Sequence, residues 1–125
     1  MAKNRIIEWY PMYPDPVVWI SVVKLDASWR RDVTRYVGEG AIGPGNGYPS
    51  RYKKFGEWFA EGHKIWMPHV GITGGHISFS DGRHRFAWLR DHGVRALPVT
   101  VSPDIEAEVR RRFGTRSRVS CLTCK

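Results

Sequence analysis

The spacing of apolar residues along the chain predicts alternating strands and helices. The β-branched run at 17–23, VVWISVV, predicts a buried strand. Residues 1–16 are expected to be irregular, because the prolines of YPMYPDP, just before this run, interrupt regular hydrogen bonding. Apolar residues then recur at helical spacing, which predicts a helix over 28–38 that ends at Gly38.

The middle of the chain predicts a long loop, a second helix and a β-hairpin. Gly and Pro dominate residues 38–50, which form either a plain connector or a lid over a site. Ser50 can cap a helix over 51–62, in which aromatic residues share one face. The apolar runs 64–73 and 76–80 flank a Gly-Gly pair, which is the pattern of a β-hairpin with a two-residue turn.

The last third of the chain predicts a helix, a strand and a final helix. After an Asp-Gly turn, residues 83–92 predict a helix and residues 96–101 a short apolar strand. A strand–helix–strand unit of this length is normally a right-handed crossover, so strands 76–80 and 96–101 are expected to be parallel neighbours. The Ser-Pro-Asp sequence at 102–104 opens the final helix. The basic residues 115–125 are expected to form a flexible tail.

These elements together predict a single α/β (α+β) domain at residues 17–114. It would contain a small mixed sheet with a hairpin and a parallel βαβ unit, flanked by helices. The chain has 125 residues, of which 42% are hydrophobic. A chain of this size and composition can bury a core without disulfides or a structural metal.

Charge and cysteine content narrow the class of partner and the compartment. Lys and Arg number 20 against 12 Asp and Glu, and the formal charge of +8 favours anionic partners such as nucleic acid, nucleotides or an acidic protein face. Cys121 and Cys124 provide neither a disulfide framework nor a four-ligand zinc site. No apolar run approaches the ~20 residues of a membrane span. A cytoplasmic protein without membrane insertion is therefore expected.

The sequence 79–93, FSDGRHRFAWLRDHG, places three basic residues at a helix start, where the helix dipole disfavours cations. Placing Arg83, His84 and Arg85 there lowers the stability of the helix, a loss of a few tenths to about 1 kcal/mol for each residue. The loss disappears if a phosphate, or a carboxylate of another protein, binds the free backbone N–H groups and the guanidinium groups together. The alternative is that these arginines simply pair with acidic residues of the chain itself.

Neighbouring residues suit the same anion site. Asp81 can cap the helix, and Gly82 lets the backbone approach a ligand closely. His84 can donate to a phosphate or act as an acid or base, or it can instead pack beside Trp88 one turn later. Candidate accessory contacts, which can equally be solvated helix faces, are Lys53, Lys54, Arg110 and Arg111.

The segment GGHISFSDGRHRFAWLRDHGVRALPVTV resembles the nucleotide-binding core of the ParB/sulfiredoxin-like superfamily, in which a strand, a basic turn and a helix surround phosphates. Within that superfamily, FSDGRHRFAWLRDHGVRALPV followed by RRRFG resembles the plasmid fertility inhibition factors. These are small cytoplasmic proteins that block conjugative transfer of a co-resident plasmid. The resemblance extends from about the first predicted strand to Gly114 and implies a ParB/sulfiredoxin-like fold.

The resemblance also implies roles for individual residues. Gly82, Arg83, His84 and Arg85 fall on the phosphate-contacting turn, and Asp81 becomes a helix cap or a metal-bridging acid. Arg83 stands where sulfiredoxin chemistry needs a cysteine, so that activity is not expected. No helix-turn-helix region follows the core, so operator binding of the ParB type is not expected either. Without an evident nucleophile or metal cluster, the residues favour a binding protein over an enzyme.

Three hypotheses for the function follow. The favoured one is an interaction protein that binds the conjugation coupling protein, or another secretion-system ATPase, and blocks it. The second is a weakly active enzyme that binds ATP or CTP with Mg²⁺ at residues 81–85 and either hydrolyses the nucleotide or cuts DNA. The third is nonspecific nucleic-acid binding driven by the charge of +8.

Overall fold

Short strands and helices alternate in the computed structural model, which describes residues 4–42 and 49–123. The strands are β1 (Asn4–Ile6), β2 (Trp9–Tyr10), β3 (Val17–Ser21), β4 (Ile65–Trp66), β5 (His69–Thr73), β6 (His76–Asp81), β7 (Ala96–Thr100) and β8 (Cys121–Thr123). The helices are α1 (Val22–Trp29), α2 (Pro49–Ala60), α3 (Arg83–Asp91) and α4 (Glu106–Phe113), with 3₁₀ turns at Glu39–Ala41 and Pro103–Ile105. The predicted mixed α/β class is confirmed.

A four-stranded sheet in the order β3-β7-β5-β6 lies at the centre of the fold. β5 and β6 form the predicted antiparallel hairpin, β3 pairs antiparallel with β7, and β5 runs parallel to β7. The prediction that strands 76–80 and 96–101 are parallel neighbours is wrong, because β5 lies between them. All five residues of β7 are buried, and a strand buried on both faces takes an interior position with a neighbour on each side.

Helix α1 begins earlier than the sequence pattern predicted. The strand expected over 17–23 stops at Ser21, whose hydroxyl accepts a hydrogen bond from the backbone N–H of Lys24 at 3.3 Å and caps the helix. The prediction of a helix over 28–38 is therefore wrong, since α1 ends at Trp29 and is followed by turns. The buried stripe of α1, at helical spacing, consists of Val22, Leu25 and Trp29.

Helices α2 and α3 pack through a glycine and an indole. Ser50 lies inside α2 rather than capping it, because the helix already begins at Pro49. A Cβ atom at Gly56 would overlap the indole of Trp88, so the two helices approach as closely as they do because no side chain stands there. The rings of Phe55 and Phe59 contact the same indole at centroid distances of 5.6 and 5.5 Å. The N-terminal part of α2 is thereby brought beside α3.

Both ends of the described chain carry strands, which the sequence pattern did not predict. β1, in the segment expected to be irregular, pairs antiparallel with β8, in the segment expected to be a flexible tail. β2 pairs in parallel with β4. The indole N–H of Trp9 donates to the hydroxyl of Ser120 at 3.0 Å, which in turn donates to the carbonyl of Ala96 at 2.6 Å. The domain bounds 17–114 stay a prediction, and Cys124 lies outside the described residues.

An arginine in the last turn of α3, Arg90, whose side chain is 11% exposed, joins that helix to α1. The Nη1 atom of Arg90 donates to the Asp26 carboxylate at 2.9 Å and to the carbonyl of Val37 at 2.7 Å, while its Nε atom donates to the Asp91 carboxylate at 2.9 Å. Burial opposes the charged form of Arg90, but the hydrogen bonds to Asp91 and Asp26 outweigh it and raise the pKa of the guanidinium group. The one cation is therefore shared by two carboxylates inside the fold, and neither carboxylate is left without a positive partner.

The second oxygen of Asp91 extends this network to α2 and to the glycine-rich loop. It accepts hydrogen bonds from the hydroxyl of Tyr52 at 2.8 Å and from the backbone N–H of Gly40 at 3.0 Å. Burial and the hydrogen bond to Asp91 both raise the pKa of Tyr52, so its hydroxyl stays protonated and donates. The start of the loop at 38–50, predicted to be either a plain connector or a lid, is thus fastened to α3. Residues 43–48 of that loop lie outside the described residues.

Replacing Arg90 with leucine is expected to lower the free energy of unfolding by about 3–5 kcal/mol, because two buried carboxylates would lose their cation. Arg30→Leu is the matched control. Arg30 donates to the same Asp26 at 3.2 Å, but its side chain is 69% exposed, so little change is expected. Urea denaturation of both variants measures the difference, and equal stability of the two variants would contradict the structural importance of the buried network.

Candidate anion-binding site

The turn between β6 and α3 is built around Gly82. This residue has a φ of +88° and serves as the N-cap of α3. A Cβ atom there would lie 2.6 Å from Nη2 of Arg85 and 3.1 Å from Cα of Pro68, so glycine is required both for its conformation and for space. The prediction that Asp81 caps the helix is wrong, because Gly82 occupies the cap position and Asp81 remains the last residue of β6.

A pocket of about 210 Å³ opens beside this turn. The five turn residues predicted from the sequence line it together with Ser80, and α2 contributes Arg51 and Phe55 to the opposite side. Sequence reasoning missed Arg51, although a signal was present. It is a cation in the first turn of a helix, the same unfavourable placement that singled out Arg83.

Arg85 forms the buried floor of the pocket. Its side chain is 9% exposed, its Nε atom donates to the carbonyl of Trp66 at 3.1 Å, and its guanidinium group lies 4.6 Å from the centroid of the Trp66 ring. Burial lowers the pKa of Arg85 to about 10, an effect that Asp81 at 3.8 Å partly opposes. The group therefore stays charged at neutral pH and supplies fixed positive charge beneath the pocket, while the more exposed arginines Arg51 and Arg83 stand at its rim.

His84 is buried and neutral at physiological pH. Burial, together with the nearby charges of Arg83 and Arg51, lowers its pKa to about 4. Among the residues that the structure describes, its Nε2 atom has no hydrogen-bond partner. The ring can therefore offer one hydrogen bond to a ligand but no charge. Trp88, the expected packing neighbour of His84, stacks on His92 at a centroid distance of 3.7 Å.

The accessory contacts predicted from the sequence do not line this pocket. Lys53 and Lys54 are exposed on α2. Arg110 and Arg111 lie on α4, where they line a separate pocket of about 420 Å³, and Arg110 pairs with Glu106 at 2.7 Å. Basic side chains are thus distributed over several faces, and α2 and α3 together build the site.

The arrangement is suited to binding a small anion. Arg51, Arg83 and Arg85 provide three guanidinium groups around one pocket, against the carboxylate of Asp81. Within residues 4–42 and 49–123, no three His, Cys, Asp or Glu side chains lie close enough together to hold a metal ion. None of the helices in the described ranges is long and apolar enough to cross a membrane. Charge-assisted hydrogen bonds from guanidinium groups are strong and geometrically specific for carboxylates and phosphates.

A family model described as Plasmid Fertility inhibition factor matches residues 17–114. The chain belongs to this family. The resemblance seen in FSDGRHRFAWLRDHGVRALPV is thereby confirmed at the family level. Every residue that lines the candidate pocket falls inside the matched range, so the site belongs to the part of the chain that defines a plasmid fertility inhibition factor.

The fold of this plasmid fertility inhibition factor is similar to that of a solved structure. That structure is the oncogenic suppression activity protein, described as a plasmid fertility inhibition factor and solved as a gold(I) cyanide derivative. The match has a TM-score of 0.60 at 20% identity and covers 85% of this chain and 58% of the other. The likeness shows the fold, and the ParB/sulfiredoxin-like assignment stays a prediction. None of the curated proteins compared with the chain matches it.

Gly82→Ala is expected to destabilise this fertility inhibition factor more than Gly75→Ala. Both glycines have similar positive φ angles, +88° and +84°, but a Cβ atom at Gly75 would meet open space. Each substitution carries a conformational cost of about 1–2 kcal/mol. The excess at Gly82, seen in the free energy of unfolding by urea denaturation, measures the crowding against Arg85 and Pro68. Equal destabilisation would show that the turn has room for a side chain.

Proposed function

We propose that this protein inhibits conjugative transfer by binding a component of the conjugation machinery, the coupling ATPase, through the pocket at the start of α3. Membership of the plasmid fertility inhibition factor family supports the biological role. The observation that supports the site is the convergence of Arg51, Arg83 and Arg85 on one pocket. The partner group that fits this pocket is a carboxylate on an acidic protein surface.

The pocket combines two sources of positive potential. The first turn of α3 leaves backbone N–H groups without intrahelical partners, and the helix dipole adds partial positive charge at the same place. Arg83 comes from this turn and Arg51 from the first turn of α2, so the starts of two helices face one pocket. A carboxylate bound there would offset the unfavourable placement of the arginines.

The size of the pocket favours a single anionic group over a whole nucleotide. Its volume is about 210 Å³, whereas sites for small molecules and cofactors usually enclose roughly 300–1,000 Å³. A carboxylate or phosphate group fits, but a base and a ribose would lie outside the pocket. Inhibition would then be steric: the bound protein covers a surface that the ATPase needs, and neither nucleotide nor metal is required.

Arg83→Glu is expected to abolish inhibition of mating while the protein stays folded, because the new carboxylate repels the acidic group of the partner. The frequency of transconjugants per donor should rise about tenfold or more, as expected when a desolvated ion pair worth more than 1.4 kcal/mol is lost. The measurement is a mating assay with the protein produced in donor cells, combined with thermal unfolding of the purified variant.

Lys24→Glu is the matched control for this charge reversal. Lys24 is exposed in the first turn of α1, where an acidic residue is favourable for the helix. Lys24→Glu changes the net charge of the protein by the same amount as Arg83→Glu. Because Lys24 is not among the residues that line the pocket, this substitution should leave inhibition intact. Full inhibition by a folded Arg83→Glu variant would show that the pocket is not the contact surface, and equal loss in both variants would show that only the overall charge matters.

A second function, binding of a phosphate group such as one of a nucleotide, is favoured by two buried polar atoms. Nη2 of Arg85 and Nε2 of His84 have no hydrogen-bond partner among the described residues, and both side chains line the pocket. A buried donor without a partner costs about 1–3 kcal/mol, and a phosphate oxygen could satisfy it. This observation supports a phosphate group as an alternative occupant of the same pocket.

Calorimetric titration separates the two functions. We expect ATP, CTP and their Mg²⁺ complexes to bind no more tightly than inorganic phosphate, because the pocket accommodates one anionic group. Micromolar binding of a nucleotide, weakened about tenfold or more by both Arg51→Ala and Arg83→Ala, would instead favour the nucleotide-binding function. Lys24→Ala serves as the control for nonspecific attraction of the anion.

A further inference from the structure

The segment YPMYPDP exposes three large side chains of types that proteins usually bury or use in interfaces. Tyr10 is 38% exposed, Met12 45% and Tyr13 39%. We call these three residues the Tyr-Met patch. Tyr and Met are enriched in the cores of protein interfaces, and contiguous exposed patches of such residues commonly mark interaction sites.

The Tyr-Met patch is held in place by the fold. The backbone N–H of Met67 donates to the carbonyl of Tyr10, the first residue of the patch, at 2.9 Å. The backbone N–H of Val101 donates to the carbonyl of Pro16 at 3.0 Å, just after it. Three prolines in the segment fix their own φ angles. A segment ordered in this way loses little conformational entropy when a partner binds.

The Tyr-Met patch lies next to the anion pocket. The ring of Tyr10 is 6.3 Å from that of Trp66, on which the guanidinium group of Arg85 lies at 4.6 Å. The ring of Tyr13 is 5.0 Å from that of His69, and His69 faces Asp81 across the β5–β6 hairpin. The two surfaces are therefore separated by single side chains and can be covered by one partner.

We propose that the Tyr-Met patch and the anion pocket form one docking surface for an acidic, amphipathic segment of a protein partner. One carboxylate of that segment enters the pocket between Arg51 and Arg83, and an apolar side chain next to it packs on Met12 between the two tyrosines. This proposal rests on the proposed function, since it extends the same contact surface. Cations and apolar anchors side by side discriminate against partners that offer only one of the two chemistries.

Charge complementarity favours an acidic partner over a second copy of this chain. The protein carries a formal charge of +8. A symmetric dimer built on this surface would bring the guanidinium groups of both pockets towards each other, because the same patch faces itself across a two-fold axis. Juxtaposed like charges oppose such an interface.

The test is a series of substitutions at Met12, read out by inhibition of mating. Met12→Leu keeps an apolar anchor and should inhibit like the wild type. Met12→Glu places a carboxylate against an acidic partner and should lose inhibition about tenfold or more. Met12→Lys removes the anchor but adds a favourable charge, so its loss should be clearly smaller. Val33→Glu, at a residue that is 77% exposed and lines a different pocket, should inhibit fully.

The outcomes separate this proposal from the proposed function. If Arg83→Glu abolishes inhibition and all Met12 variants inhibit fully, the pocket is the contact but the Tyr-Met patch is not, and this inference fails alone. If Arg83→Glu inhibits fully, the proposed function itself fails. Equal losses of inhibition in Met12→Glu and Met12→Lys would contradict the proposal that the partner is acidic. Sedimentation that shows a dimer dissociated by Met12→Glu would identify a second copy as the occupant and overturn the proposal too.

Discussion

The buried ion network around Arg90 is the constraint on which the arrangement of the helices depends. One guanidinium group satisfies carboxylates on α1 and α3, and Asp91 passes the connection on to Tyr52 of α2 and to the backbone of Gly40. None of these charges could be buried alone, since an uncompensated ion inside a protein is strongly unfavourable. The helices must therefore assemble together, because separating α1 from α3 leaves a charge without its partner, and displacing α2 removes the Tyr52 hydroxyl from Asp91.

This coupling explains how a site is formed at the opposite end of α3. The helix is held at its C-terminal end by Arg90 and at its N-terminal end by the stacking of Arg85 on Trp66. Helix α2 packs on α3 through Gly56 and Trp88. This packing places the first turn of α2 beside the Gly82 residue that precedes α3. The cations at the rim thus stand on rigid elements, and binding needs little reorganisation of the protein.

The features that the sequence predicted correctly are those that local chemistry decides. The hairpin and the turn at Gly82 depend on glycines with positive φ, a requirement visible in a few residues. The strand order was predicted wrongly because it depends on which distant segments pair with β7 and bury it. No local sequence pattern carries that information. Ser21 can continue a strand or cap a helix, and the packing of α1 decided between them. The burial of Arg85 against Trp66 of β4 and the position of Arg51 beside the pocket both depend on contacts between segments that are distant in the sequence.

The antiparallel pairing of β1 with β8 has a mechanical consequence. Asn4 lies opposite Thr123 and Ile6 opposite Cys121, so the two outward-leading ends of the pair are adjacent. A pulling force applied through those ends would break the hydrogen bonds of the pair one after another, because only the outermost bond carries the load at any time. The ladder of β3 with β7, which is longer and buried, would be loaded only after this pair has opened. The two short end strands would therefore separate first, while the central four-stranded sheet stays intact.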